Sequence, residues 1–230
     1  MNTRSMLKFV QISGLLLLFA GTPGIASAQS EQQDLVRSAE TTFANFMRDP
    51  DMTWLQQNIG RAKAVLIAPS IAKAGFIFGG SGGRAVLIAR DPQSGQWRGP
   101  AFYTLMTASF GFQAGIQVSE MVTLVMTDRG VNSLLSDSFE LGADASIAAG
   151  PVGAGARSDI TADFVAFSRS KGIYGGLNLE GTLVRAGHDW NEAYYQKNSV
   201  LPPDIIVRGN VHNGQADALV AAVSSAAGRG

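Results

Sequence analysis

Across residues 173–183 the chain alternates. Ile173, Gly175, Leu177, Leu179 and Leu183 take one parity, and Tyr174, Asn178, Glu180 and Thr182 the other. Successive side chains of a strand point to opposite faces, so a two-residue period puts one set on a core and the other toward water. The pattern predicts a half-buried antiparallel strand. Residues 160–168, ITADFVAFS, predict a second strand, joined to it through Arg169, Ser170, Lys171 and Gly172. Gly172 accepts positive φ at the end of such a connection, so the two runs predict a β-hairpin.

The same residues carry a resemblance. FSRSKGIYGGLNLEG resembles the F-S-x-S-K-G-φ-φ-x-G-φ-S-L-E-G signature of the SYLF family of lipid-binding domains, with Asn178 where the family has Ser. Asp189, Asn191 and the pair Tyr194-Tyr195 are similar to the family's D-x-N-x-x-(F/Y)-Y ending. Upstream, KAGFIFGGSGGRAVLIAR followed by GQWRGP resembles a further family pattern, as does LGADASIAAGPVG after residue 140. In GFQAGIQ the Gln is shifted from the family's position. The likeness covers about residues 35–196, with its motifs in the family's order. It implies a non-enzymatic domain that recognises anionic phospholipid headgroups.

The N-terminus constrains location. Arg4 and Lys8 precede an apolar run over residues 9–20, and Ala26-Ser27-Ala28 stands before Gln29. This is the pattern of a secretory signal peptide, with cleavage after Ala28. Gln11, Ser13 and Pro23 interrupt the run, well short of the roughly 20 apolar residues of a membrane-spanning helix. Residues 1–28 are therefore read as a signal peptide and 29–230 as a single domain, exported to the periplasm or cell envelope and soluble after cleavage. Eukaryotic relatives of the SYLF family are linked to actin. An exported chain does not meet cytosolic actin, so that partner is not expected here.

Charge excludes one class of partner. Removing Arg4 and Lys8 from 18 Lys and Arg leaves two fewer bases than the 18 acids, so no wholesale nucleic-acid binder is expected. The distribution is uneven. Arg61, Lys63, Lys73, Arg84, Arg90 and Arg98 fall in one segment with Asp91 as its only acid. Lys63, Lys73, Arg84, Arg90 and Arg98 are the candidate lipid-binding residues, beside the plainer reading of a solvated face.

Residues 31–47 predict a helix with a stripe of Leu35, Ala39, Phe43, Phe46 and Met47, ended by Asp49-Pro50. Its polar face carries Glu31, Asp34 and Glu40 against Arg37, so it is read as core packing rather than as a basic membrane-surface helix. Short apolar runs at 64–68, 74–78 and 85–89 predict strands, with Gly79-Gly80-Ser81-Gly82-Gly83 as a hairpin loop. Residues 109–119 and 121–126 predict further strands, and Asp128 is expected to cap a short helix through Leu135. Residues 205–207 predict a last strand, and residues 217–226 a small-residue helix. Many of the 27 glycines lie inside predicted strands, where Gly marks bulges or close backbone approach. The fold class is α+β: a curved, barrel-like antiparallel sheet of many short Gly-rich strands, with helices at the N-terminus and C-terminus.

One pattern offers an enzymatic alternative. Residues 79–83 fit G-x-S-x-G, making Ser81 the alternative hydrolase nucleophile, with His188 or His212 and Asp163 or Asp144 downstream. That motif needs a strand before the serine and a helix after it, and RAVLIARD reads as a strand. Two distant histidines and no cysteine supply no ligand spacing, so neither metal nor cofactor is expected. A third reading is an envelope scaffold with a protein partner. Oligomeric state is left open.

Overall fold

The computed structural model describes residues 23–75, 78–110, 115–153, 159–170, 173–174 and 179–229. The chain runs through α1 (Pro23–Arg48), α2 (Thr53–Asn58), then strands β1 (Ala64–Gly75), β2 (Phe78–Arg90), β3 (Trp97–Phe110) and β4 (Gly115–Val125). There follow α3 (Asp128–Leu134), β5 (Ser138–Glu140), β6 (Ile147–Ala149), β7 (Phe164–Ser170), β8 (Ile173–Tyr174) and β9 (Thr182–Ala186). The chain ends in α4 (His188–Tyr195), α5 (Pro202–Ile206) and α6 (Asp217–Ala227). The strands form one curled sheet in the order β5-β9-β3-β2-β1-β4-β7-β6, with β8 paired to β7. All pairings between these strands are antiparallel except β6 with β7. The α+β curved sheet with helices at both ends is the fold expected from the sequence.

Alternation divides the sheet cleanly. Val65, Ile67, Val86, Ile88, Phe102, Val122, Leu124, Val165 and Phe167 face a helix layer built from α1, α2, α4 and α6. Ala64, Leu66, Ala85, Leu87, Tyr103, Met121 and Phe164 face the other way, against Leu134 of α3, Phe139 of β5 and Ile205-Ile206 of α5. In α1 the buried stripe is Val36, Ala39, Phe43 and Phe46, with Leu35 and Met47 at its margin. Each fully buried Val or Phe contributes about 1.5–3 kcal/mol, which fixes α1 as a core helix.

Several strand boundaries differ from the sequence reading. Pro69 does not end β1. The register slips by one residue between Ile67 and Ser70 against β2, and between Ala68 and Ile71 against β4. A proline lacking a donor is tolerated at such a bulge, and the strand continues. Residues 79–83 are not a loop but part of β2. A Cβ on Gly83 would stand 2.4 Å from the Ser70 carbonyl oxygen, so glycine there permits the close approach opposite the bulge. β1 to β4 are consequently 11 to 14 residues long rather than short. Residues 109–119 are not one strand. The described ones belong to the end of β3 and the start of β4, which run in opposite directions on either side of the β1–β2 pair.

The opening alternation is also divided. β8 pairs with β7 through Ser170↔Ile173, as the predicted hairpin requires, whereas β9 lies across the sheet beside β3. Between them Leu179 is buried and Glu180 sits in a turn, with Gly181 at φ +75°. The Gly181 N–H donates to the Leu141 carbonyl and the Leu141 N–H to that of Thr182. The Leu-Glu-Gly and Leu-Gly motifs thus pack on one another. Residues 205–207 are not a strand: α5 occupies Pro202–Ile206, with Pro at its first turn and the Asp204 carboxylate accepting from the Leu201 N–H. Residues 1–22 of the predicted signal peptide lie outside the described residues, as does the shifted Gln113.

Candidate functional site

The four long strands have a base, where β1 and β3 begin, and a tip, where β1 meets β2. Lys63, Arg90 and Arg98 belong to the base. Lys63 pairs with Asp128 at 2.8 Å. Arg98 pairs with Asp91 at 2.9 Å and donates to the Val207 carbonyl. Arg90 lies 5.0 Å from the Trp97 ring centre and donates to the Gly60 carbonyl. The Ser94 hydroxyl and Gln93 N–H, with Arg98 alongside, hold the Asp91 carboxyl below the usual carboxylate range. These three cations build the base of the sheet.

Lys73 and Arg84 lie toward the tip, on opposite faces. Directly paired residues share a face, and the register Thr182↔Thr107↔Ser81↔Lys73↔Gln117 makes one polar row. Arg84 belongs to the helix side, in the row Arg185↔Thr104↔Arg84↔Ser70. The five candidate cations therefore do not gather into one patch.

What gathers instead is Arg84 with Arg185. Both are exposed and flank Thr104, two strands apart, or roughly 9.6 Å at 4.8 Å per strand. No described carboxylate pairs with either. The Arg84 guanidinium stacks 3.9 Å above the Trp190 ring, and Trp190 in turn packs edge-on against Phe102. One step of two residues toward the tip, the row Leu183↔Met106↔Gly82↔Ala72↔Val118 carries no charge across five strands. Met106 is 40% and Val118 42% exposed, and Ala72 is also exposed. Exposed Glu140 stands at the β5 end of that row. Arg185 was missed in the sequence reading. Its signal was its parity with Leu183, but only the β9–β3 register sets it beside Arg84.

Three described residues of the motifs that carry the family resemblance, Asn191, Tyr195 and Ser170, have structural roles. Asn191 is fully buried, and its side-chain oxygen accepts from the Phe102 N–H at 2.9 Å. The Tyr195 hydroxyl donates to the Pro100 carbonyl at 2.8 Å. Together they fix α4 onto β3, which sets Trp190 beneath Arg84. Ser170 shares a hydroxyl hydrogen bond with Ser119, joining β7 to β4.

The catalytic alternative lacks its geometry. Ser81 lies mid-strand between Lys73 and Thr107, without the strand–turn–helix elbow. His188 faces Asp137 and His212 faces Asp217. Asp163 is a structural carboxylate: burial pushes it up, but hydrogen bonds from Arg129, Thr127 and Ser146 outweigh that and hold it well below the usual range. Among the described residues no three His, Cys, Asp or Glu side chains group as metal ligands, and no helix is long and apolar enough to cross a membrane.

Residues 106–226 match the family model described as Ysc84, Las17-binding protein actin regulator. The chain is 32% identical over 145 residues to LAS seventeen-binding protein 3 of Saccharomyces cerevisiae, covering 60% of this chain and 31% of that protein. It is 29% identical over 161 residues to the human SH3 domain-containing YSC84-like protein 1, covering 68% of this chain and 46% of that protein. The Xenopus laevis protein of the same name is 26% identical over 172 residues, covering 73% and 51%. The match thus spans about a third to a half of these relatives.

Proposed function

The chain belongs to the Ysc84 family, the SYLF domain family, and from that premise we propose that it is an exported, non-enzymatic module that binds anionic phospholipid headgroups in the cell envelope. The observation that carries this reading is the Arg185–Thr104–Arg84 row: two exposed guanidiniums, neither paired with a carboxylate among the described residues, one of them stacked on Trp190. Guanidiniums recognise phosphate through paired N–H donors, and Trp favours the boundary between lipid and water. Export rests on the pattern of residues 1–28 and removes cytosolic actin as a partner, although the family description names an actin regulator. That same description, which names a binding partner, supports a second reading: an envelope scaffold for another protein.

Co-sedimentation of the wild-type mature protein with phosphatidylglycerol vesicles, against phosphatidylcholine alone, tests the proposal. Binding to the anionic vesicles at low salt, fading as salt rises, is expected. A protein that stays in the supernatant with anionic vesicles at low salt ends the lipid reading.

A further inference from the structure

We infer that the tip of the sheet is a membrane-insertion element whose helix-side face enters the acyl region, with Met106 and Val118 as its leading side chains; this rests on the lipid reading above. The tip is two-faced. On the helix side lies the uncharged row Leu183, Met106, Gly82, Ala72 and Val118. On the other lies the polar row Thr182, Thr107, Ser81, Lys73 and Gln117, in which the Thr107 and Thr182 hydroxyls bond at 2.7 Å. This is an amphipathic surface made from a sheet, at a period of two rather than 3.6.

The charge next to it identifies the occupant. Arg84 and Arg185 stand one row closer to the helices, about 6.8 Å from the apolar row at 3.4 Å per residue. With those guanidiniums level with lipid phosphates, Met106 and Val118 lie up to about 7 Å deeper. That matches the roughly 5–10 Å by which interfacial amphipathic elements bury their apolar faces. A partner protein would need no cationic row beside the apolar one; an anionic bilayer presents both chemistries at that spacing.

The chain contains no cysteine, so single-cysteine variants accept one label cleanly. Val118→Cys and Met106→Cys sample the proposed face. Gln117→Cys samples the opposite face one residue away, and Ser225→Cys the surface of α6. Each variant carries an environment-sensitive nitrobenzoxadiazole and is mixed with vesicles of phosphatidylcholine and phosphatidylglycerol. The expected result is a shift to shorter wavelength, with quenching by brominated acyl chains, at 118 and 106 but not at 117 or 225. Met106→Ser/Val118→Ser should weaken vesicle binding on the order of tenfold while leaving the circular dichroism spectrum unchanged.

Vesicle-bound protein whose labels all stay in water would overturn insertion and leave the headgroup proposal standing. Equal shifts at 117 and 118 would overturn the facial assignment. Shifts that grow with protein concentration in the absence of vesicles would assign the face to self-association instead. An absence of vesicle binding in the wild type would remove both proposals.

Discussion

Arg84→Gln/Arg185→Gln separates a placed pair of charges from net charge. A cation near an anionic membrane contributes about 1 kcal/mol, so losing two costs about 2 kcal/mol, roughly 30-fold in affinity. The comparison is Arg61→Gln/Lys63→Gln, with the same change in net charge. Lys63 precedes β1 by one residue, nine residues before Ala72 of the apolar row, or about 30 Å along the strand. With a Debye length near 8 Å at physiological ionic strength, that distance screens the base of the sheet from a surface at the tip. The control should therefore lose less than about twofold. The assay is co-sedimentation over a phosphatidylglycerol titration at fixed salt, with thermal melting of both variants. Exposed charge changes rarely move stability by more than about 0.5 kcal/mol, and the Arg84–Trp190 contact adds about 0.5–1 kcal/mol. Equal losses from the two variants would refute the reasoning, because binding would then follow net charge rather than the Arg84–Arg185 row.

Asp163→Asn should cost about 2–3 kcal/mol at pH 7, since Ser146 and Thr127 lose a charged acceptor while the mostly exposed Arg129 is resolvated. The folded carboxyl is depressed, so its contribution is present above the unfolded value near 3.9 and is lost as pH falls from about 5 through the folded value. Denaturant melts should show the variant with a flatter acid limb than wild type, and parallel limbs would contradict this. Ser81→Ala should leave fluorophosphonate labelling unchanged at background; labelling of the wild type that the variant abolishes would restore the hydrolase reading. Intact mass of the exported protein should begin at Gln29, and a retained residue 9–20 segment in a membrane fraction would contradict export in cleaved form.

Alternation made the sheet legible because burial acts on single strands: Val86 and Ile88 on one parity and Ala85 and Leu87 on the other went to separate cores. Apolar runs of three to five residues say less. Ile205-Ile206-Val207 satisfies a strand or a buried helical turn equally, and the prolines at 202 and 203 settled it toward α5. Residues 79–83 looked like a loop because glycine is frequent in turns. Here Gly83 is required by a bulge in a neighbouring strand, and nothing local to β2 announces that bulge.

The candidate surface was harder still, because it depends on register between segments distant in sequence. Lys73, Arg84 and Arg90 are close in sequence, yet the hairpin sends Lys73 to the opposite face and carries Arg90 back to the base. Arg84 and Arg185 are separated by a hundred residues and meet across Thr104 only because the chain passes from β8 at one side of the sheet to β9 at the other. A shift of one residue in the β3–β9 register would put Arg185 among the buried side chains of the opposite face and Val184 beside Arg84. The Thr107–Thr182 hydrogen bond, the Val184 packing and the Leu-Glu-Gly turn all resist that slip. The motif that marks the family therefore acts on the proposed lipid surface at a distance, by fixing which face Arg185 takes.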